Sequence, residues 1–283
     1  MVSADNDQSR SLLDRLPDLG AHAAALPGIE VLVGRELASR PARLRYVAGP
    51  RSLPPEVADA IEREWRNHPL STETAAASRP LCRYLRHELT ANETVIYVGD
   101  TNFAEAYGTN VRNPALAQRY GTHVLSNALS VSGLLMTREG DAVVLRRSDR
   151  VHDKRGQWHT VAGHMEPLDR LDPLLTLRRE LLEELPGAAG HVINEAAVAL
   201  IRPLDNFKPE LCYLMTTDLR RSDARKLQLD FEHDALRVLS MNAAELSAFL
   251  AENRGLIVAG TRALLMAASL MALPAETVLS WEW

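Results

Sequence analysis

The residues whose spacing could do chemistry lie in one stretch, Asp172 to Leu185, which reads Asp-Pro-Leu-Leu-Thr-Leu-Arg-Arg-Glu-Leu-Leu-Glu-Glu-Leu. On a helix Glu180 stands three and four residues before Glu183 and Glu184, so three carboxylates share about one turn. Like charges that close repel unless a cation or an arginine sits among them. Arg179, four residues before Glu183, can take part of that charge. Hard oxygen ligands clustered this way suit Mg²⁺ or Mn²⁺. The bland alternative is a solvated helix face.

The stretch supplies its own helix signals. Asp172 is placed to cap the N-terminus, and Pro173 suits the first helical position, where its missing N–H costs nothing. Leu174, Leu177, Leu181 and Leu185 recur at helical spacing, with Leu175 and Leu182 widening the stripe, which predicts one core-facing side. Upstream, Val161-Ala162-Gly163-His164-Met165-Glu166-Pro167 reads as an apolar strand end and a glycine turn delivering the chain to this helix.

Gly163 followed by Arg179-Glu180-Leu181-Leu182-Glu183-Glu184 resembles the Nudix box. Three features depart from the pattern. Asp169 stands where Glu is expected, nine residues rather than seven separate it from Arg179, and Pro186, followed by Gly187, occupies the place of the late glycine. The Arg-Glu-x-x-Glu-Glu centre is intact. Beyond the box, Tyr107-Gly108-Thr109-Asn110, Val143-Val144-Leu145-Arg146-Arg147-Ser148 and Gly163-His164-Met165-Glu166-Pro167 resemble the UDP-glucose and UDP-galactose pyrophosphatase subgroup of Nudix motif type 22. That subgroup also has a lengthened box and lacks the usual box glycine. The resemblance runs from about Glu30 to Ala263.

The resemblance implies hydrolysis of a nucleoside diphosphate linked to another group, with Mg²⁺, or Mn²⁺, as cofactor. It implies Glu180, Glu183 and Glu184 as metal ligands with the Gly163 carbonyl as a further ligand, and Glu183, Glu184 and Arg179 as catalytic residues, Arg179 by orienting Glu183. A base must also take the proton from the attacking water. Glu232, in Asp230-Phe231-Glu232-His233-Asp234, is the loop candidate, weighed against a solvated carboxylate. Glu166 is read either as a metal contact or as a turn residue. Arg147 is read as a phosphate contact or as a solvent-facing strand residue. Tyr107 can stack on a base or belong to the core, and Asn110 beside it is a candidate substrate contact. His159 and His164 flank the metal stretch, but a lone histidine is more often a hydrogen-bonded structural residue. The implied substrate is UDP-glucose or UDP-galactose, giving UMP and hexose 1-phosphate. The alternatives are ADP-ribose, a dinucleotide or a specialised metabolite on the same chemistry, and a non-catalytic ligand-sensing module.

The remaining sequence sets the frame. With 283 residues the chain can bury a large core, and 46% hydrophobic with 24% charged residues is ordinary for a globular protein. A formal net charge of −5 argues against a nucleic-acid surface but not against a nucleotide met by metal. Cys82 and Cys212 lack metal-ligand spacing and point to a reducing compartment. No apolar signal segment opens the chain and no run is long enough to span a bilayer, so a cytoplasmic protein with a small-molecule nucleotide partner and no membrane partner is expected. The oligomeric state stays open.

Strands are predicted at 29–33, 42–47, 81–89, 94–98, 125–136, 142–147, 157–162, 192–201, 211–217 and 236–239. Helices are predicted at 56–65, 103–106, from Asn113-Pro114 to Gly121, from Asn242 to about Asn253, and at 260–271. The predicted fold is an α/β/α sandwich of Nudix type with a mixed sheet and an N-terminal β-rich extension. Its expected divisions are a loose segment 1–28, with one helical stretch, an extension 29–120 packed on the core, and a Nudix domain 121–283.

Overall fold

The computed structural model describes residues 15–283 apart from 50, 73, 152 and 170, so most of the predicted loose N-terminal segment lies outside the described residues. From the N-terminal side come β1 (Ile29–Val33), β2 (Ala42–Tyr46), helix α1 (Pro55–Arg66), β3 (Pro80–Leu89) and β4 (Thr94–Asn102). Then follow β5 (Ser130–Met136), β6 (Ala142–Arg147), β7 (Trp158–His159), β8 (Val161–His164) and α2 (Pro173–Glu184). The chain continues through β9 (Val192–Pro203), β10 (Glu210–Thr217), β11 (His233–Leu239), α3 (Ala243–Glu252), α4 (Ala259–Ala272) and α5 (Ala275–Leu279).

Among the described residues, eight strands form the main sheet in the order β1-β9-β10-β5-β6-β11, with β7 paired to β6 and β8 to β5. The β5–β10 pair is parallel, whereas β9–β10, β5–β8 and β6–β11 are antiparallel, so the sheet is mixed. Successive residues of the central strands supply two cores, as a period of two requires. Leu134, Val144 and Leu214 pack with Phe249, Leu264 and Leu265 of α3 and α4 on one face. Their neighbours Leu135, Val143 and Met215 pack with Leu177, Leu181 and Leu185 on the other. The result is the predicted α/β/α sandwich. Gly133 lets α2 come close: a Cβ there would lie 2.8 Å from both Leu177 Cδ1 and Met215 Sδ.

β2, β4 and β3 make a second, three-stranded sheet. It is tied to the main body through β3. The Cys82 N–H donates to the Met165 carbonyl at 2.8 Å, and the Leu129 and Tyr84 N–H groups bond Cys82 and Asn127 carbonyls at 2.8 and 2.9 Å. The second sheet therefore grips the chain that leaves β8 for the box. β1, in contrast, belongs to the main sheet as the antiparallel neighbour of β9.

Several expectations are corrected. The predicted 125–136 strand begins only at Ser130, because Asn127 takes a φ of 50° and the segment before β5 pairs with β3 instead. The strand feeding the box is split into β7 and β8, with β7 on β6 and β8 on β5. Leu175 and Leu182 do not widen the core stripe; they are 38% and 60% exposed. α5 is a helix with no counterpart among the predicted elements.

Candidate active site

α2 begins as its sequence dictates. Asp172 caps it by accepting from the Leu174 N–H at 2.9 Å, and Pro173 follows at the first position. Its buried residues are Pro173, Thr176, Leu177, Leu181 and Glu184. The helix is thus inside-out at its C-terminal end: Leu182 faces solvent while Glu184 is 5% exposed. Burying a carboxylate and exposing a leucine both cost free energy, and such violations concentrate where function demands them.

Each carboxylate has a different setting. Burial holds the Glu184 carboxyl well above its ordinary range, and Glu180, Asp230 and Glu232 add to the effect against Arg147. Its Oε2 is buried without a hydrogen-bond partner. Glu180 is pushed up to about 7, by burial first, with Arg179 opposing and Glu183 reinforcing. It accepts from Arg179 Nη1 at 2.7 Å. Glu183 is open to solvent, with its carboxylate 3.5 Å from Arg179 Nη1.

The three carboxylates therefore share a helix end without converging. Among the described residues no group of three His, Cys, Asp or Glu side chains stands close enough to hold a metal ion. Arg179 lies between Glu180 and Glu183, and Glu184 is turned inward; the expected convergence is corrected on that ground. The donor set still fits a hard divalent cation on three counts. Glu184 offers an unpartnered buried oxygen, all the donors are carboxylate or carbonyl oxygen, and the absent side chain of Gly163 leaves the room that the Glu180 carboxylate fills. A Cβ on Gly163 would lie 2.0 Å from Glu180 Cδ and Oε1.

Arg179 is more widely engaged than a guide for Glu183. Its Nε and Nη2 reach Asp169 at 3.2 Å, Nη2 reaches the His164 carbonyl at 3.4 Å, and Glu166 lies 3.7 Å away. Burial disfavours its charge, but the Asp169 bonds and the surrounding carboxylates more than offset that. Asp169 also accepts from Thr176 Oγ1 at 2.8 Å and from the Glu166 N–H at 3.2 Å. It is not among the predicted site residues, although its place six positions beyond Gly163, where the box pattern expects Glu, marks it. Glu166 is buried and accepts from Arg79 Nε at 2.9 Å, which links the N-terminal sheet to the box.

Glu232 and Arg147 do come together. Arg147 ends β6, opposite His233, and its Nη2 lies 3.4 Å from Glu232 Oε2. Arg147 Nε also donates to the Asp153 carbonyl at 3.1 Å. His159 is fully enclosed and bonds His233 through facing Nε2 atoms. His164 is half-buried; burial lowers its basicity, and the cations Lys208, Arg79, Arg147 and Lys154 lower it further. That basic surrounding spans four separate segments, and no local motif announces it.

Tyr107 and Asn110 are engaged elsewhere. The Tyr107 ring meets His68 edge-on, with centroids 4.4 Å apart, in a group that includes Trp65 and Phe103. Asn110 is buried; its Oδ1 accepts from the Asn127 N–H and its Nδ2 donates to the Asn206 carbonyl, both at 2.8 Å. Asn110 fixes two loops, and its amide is spent on that task.

Residues 126–259 match the NUDIX domain family. No curated protein matches. Similar solved structures include the MutT protein from Methanosarcina mazei Go1, 19% identical, covering 50% of this chain and 91% of that one, with a TM-score of 0.34. The NUDIX domain of Shewanella oneidensis NrtR, complexed with ADP ribose, is 15% identical, covering 56% and 96%, with a TM-score of 0.38. A C. elegans Ap4A hydrolase is 17% identical, covering 44% and 98%, with a TM-score of 0.30. No helix among the described residues is long and apolar enough to cross a membrane. The matched stretch, residues 126–259, contains both Gly163 and the Arg-Glu-x-x-Glu-Glu helix packed against it, so the similarity to the NUDIX domain family falls on the candidate site itself.

Proposed function

We propose that this Nudix hydrolase cleaves a nucleotide sugar, UDP-glucose or UDP-galactose, between its two phosphates, giving UMP and hexose 1-phosphate. The observation that carries the hydrolytic part is the inside-out end of α2, where Glu184 is buried with an unpartnered oxygen and Leu182 is exposed. Glu180, Glu183, Glu184 and the Gly163 carbonyl would hold Mg²⁺ or Mn²⁺. The chemistry such an ion would supply is screening of the diphosphate charge and acidification of the attacking water. Arg179, anchored by Asp169, keeps Glu180 and Glu183 on the same side of the helix. Glu232 takes the proton from the attacking water, and Arg147 holds its carboxylate in place. Two buried free cysteines fit a reducing compartment such as the cytoplasm.

The uridine part rests on the lengthened box and the N-terminal sheet, both of which resemble the UDP-hexose subgroup. Uracil is preferred over other bases because polar groups built to pair its edge would be left unpaired by another base. The test is kcat/KM for UDP-glucose, GDP-mannose, ADP-ribose and NADH at fixed Mg²⁺. UDP-glucose should lead. If ADP-ribose or NADH leads by about tenfold, roughly 1.4 kcal/mol in transition-state binding, the sugar-nucleotide reading is wrong and the diphosphate chemistry stands.

A further inference from the structure

The loop that carries Glu232 is held by a hydrogen-bonded chain running into the sheet. The Glu232 N–H donates to Asp230 Oδ1 at 3.1 Å, and the same oxygen takes His233 Nδ1 at 2.5 Å. His233 Nε2 faces His159 Nε2 across β11 and β7, with ring planes 18° apart and centroids 4.6 Å apart. Rings that meet through their nitrogens in this way lie in line, edge to edge, as an imidazole–imidazole hydrogen bond requires.

The direction of every bond follows. Both rings are buried, and burial favours their neutral forms. His233 Nδ1–H donates to Asp230, so its Nε2 is the acceptor and His159 Nε2–H is the donor. Two N–H groups thus run down one chain, from His159 through His233 to the Asp230 carboxylate, and the Glu232 N–H meets the same carboxylate directly. A bulge between His233 and Ala235 frees this corner from the regular ladder with β6, a device that re-aims side chains. From the other side Ser148 N–H donates to the Glu232 carbonyl at 2.7 Å, and Ser148 Oγ to the Phe231 carbonyl at 3.1 Å.

We infer that Asp230, braced by His233 and His159, is a positioning residue that fixes the backbone of Glu232 so that its carboxylate faces the end of α2. The inference rests on Glu232 being the general base proposed above. Asp230 acts here through the backbone N–H of Glu232, which its Oδ1 holds at 3.1 Å. Its charge is the fixed end of a buried chain, and its effect on turnover passes through Glu232.

The experiment is a double-mutant cycle on the full chain, read as kcat and KM separately and accompanied by thermal unfolding of each variant. Asp230→Ala should lower kcat by about 10- to 100-fold, within the range a general base contributes, with KM nearly unchanged. Asp230→Asn keeps an acceptor oxygen and should stay within a fewfold of wild type. In a Glu232→Gln background, Asp230→Ala should cost almost nothing more. Asp230→Glu, which moves the acceptor by one methylene, stands in if the alanine variant does not fold. Equal losses from the Asp230 change in both backgrounds would overturn the positioning role while leaving Glu232 as the base. A wild-type kcat for Glu232→Gln alone would overturn the base assignment, and the positioning role with it.

Discussion

The carboxylate of Glu180 occupies the space that any side chain at position 163 would need. A Cβ built on Gly163 would fall 2.0 Å from Glu180 Cδ, and 2.5 Å from its Cγ. β8 and α2 thus meet closely at the point where the Gly163 backbone and the Glu180 carboxylate lie side by side. The neighbour that would have to move is a side chain on a solvent-bordering helix end, not backbone.

Gly163→Ala should therefore fold and lose activity. The displaced Glu180 leaves the carboxylate set, and losing one fixed electrostatic group typically costs about 10²-fold or more. Turnover at saturating Mg²⁺, beside a thermal unfolding curve close to wild type, is the measurement. A wild-type kcat would show that Glu180 can relocate without consequence.

Glu184→Gln is the sharper probe of the metal assignment. The amide is isosteric, so the buried site keeps its packing and loses only charge. Stability should hold or rise slightly, because an uncompensated buried carboxylate is removed. Turnover should fall by at least ~10²-fold. Chelation of divalent ions should abolish wild-type turnover, and Mg²⁺ should restore it. Unchanged rates in both Glu183→Gln and Glu184→Gln would remove the assignment.

Asp169 gives a prediction about acid stability. Burial alone would raise its pKa, but the Arg179 and Thr176 side chains and the Glu166 N–H hold it below the ordinary aspartate value. A depressed folded pKa contributes stability that is fully present above the unfolded value near about 3.9 and is lost as pH falls through the folded one. Asp169→Asn should cost about 1–3 kcal/mol at neutral pH through the weakened Arg179 bonds. That gap between variant and wild type should narrow as pH drops below about 4. Urea unfolding at several pH values checks it, and a gap that widens in acid would contradict the sign.

The sequence carried the strands, the caps and the box because these are local. Asp172 and Asn242 each cap the helix predicted for them, with N–H···O distances of 2.9 Å. Alternating apolar residues gave β5, β6 and β10 their two faces. The reading failed at Leu182, where the rule that leucine goes inside was applied to a helix end that buries Glu184 instead. Hydrophobic patterning assumes that burial follows polarity, and a functional site is where that assumption breaks. It also failed for Asn110, whose short motif suggested a substrate contact while its amide is spent on Asn127 and Asn206. The pairing of His159 with His233 spans 74 residues of sequence, and no periodicity reports a contact made by strand register. Asp169 was legible as a departure from the box, but not as the anchor of Arg179.

The two cysteines offer a test of the fold that is independent of catalysis. Cys82 lies on β3 where the N-terminal sheet meets the box strand, and burial pushes its thiol up to about 12, with Asp169, Asp100 and Glu166 contributing. Cys212 lies on β10, completely enclosed, and burial raises it well above the ordinary thiol range. The thiolate is the reactive form, so neither should react with a disulfide reagent in the native protein at pH 8. Both should react at once in denaturant. Cys82 sits on β3 of the smaller, three-stranded sheet, which meets the main body through a shared apolar cluster and the hydrogen bonds around Cys82, whereas Cys212 lies in a central strand, so local opening of that seam should expose Cys82 before Cys212. Labelling at rising urea should therefore modify Cys82 at concentrations where Cys212 is still protected. Simultaneous labelling would mean that the N-terminal sheet and the main sheet unfold as one unit.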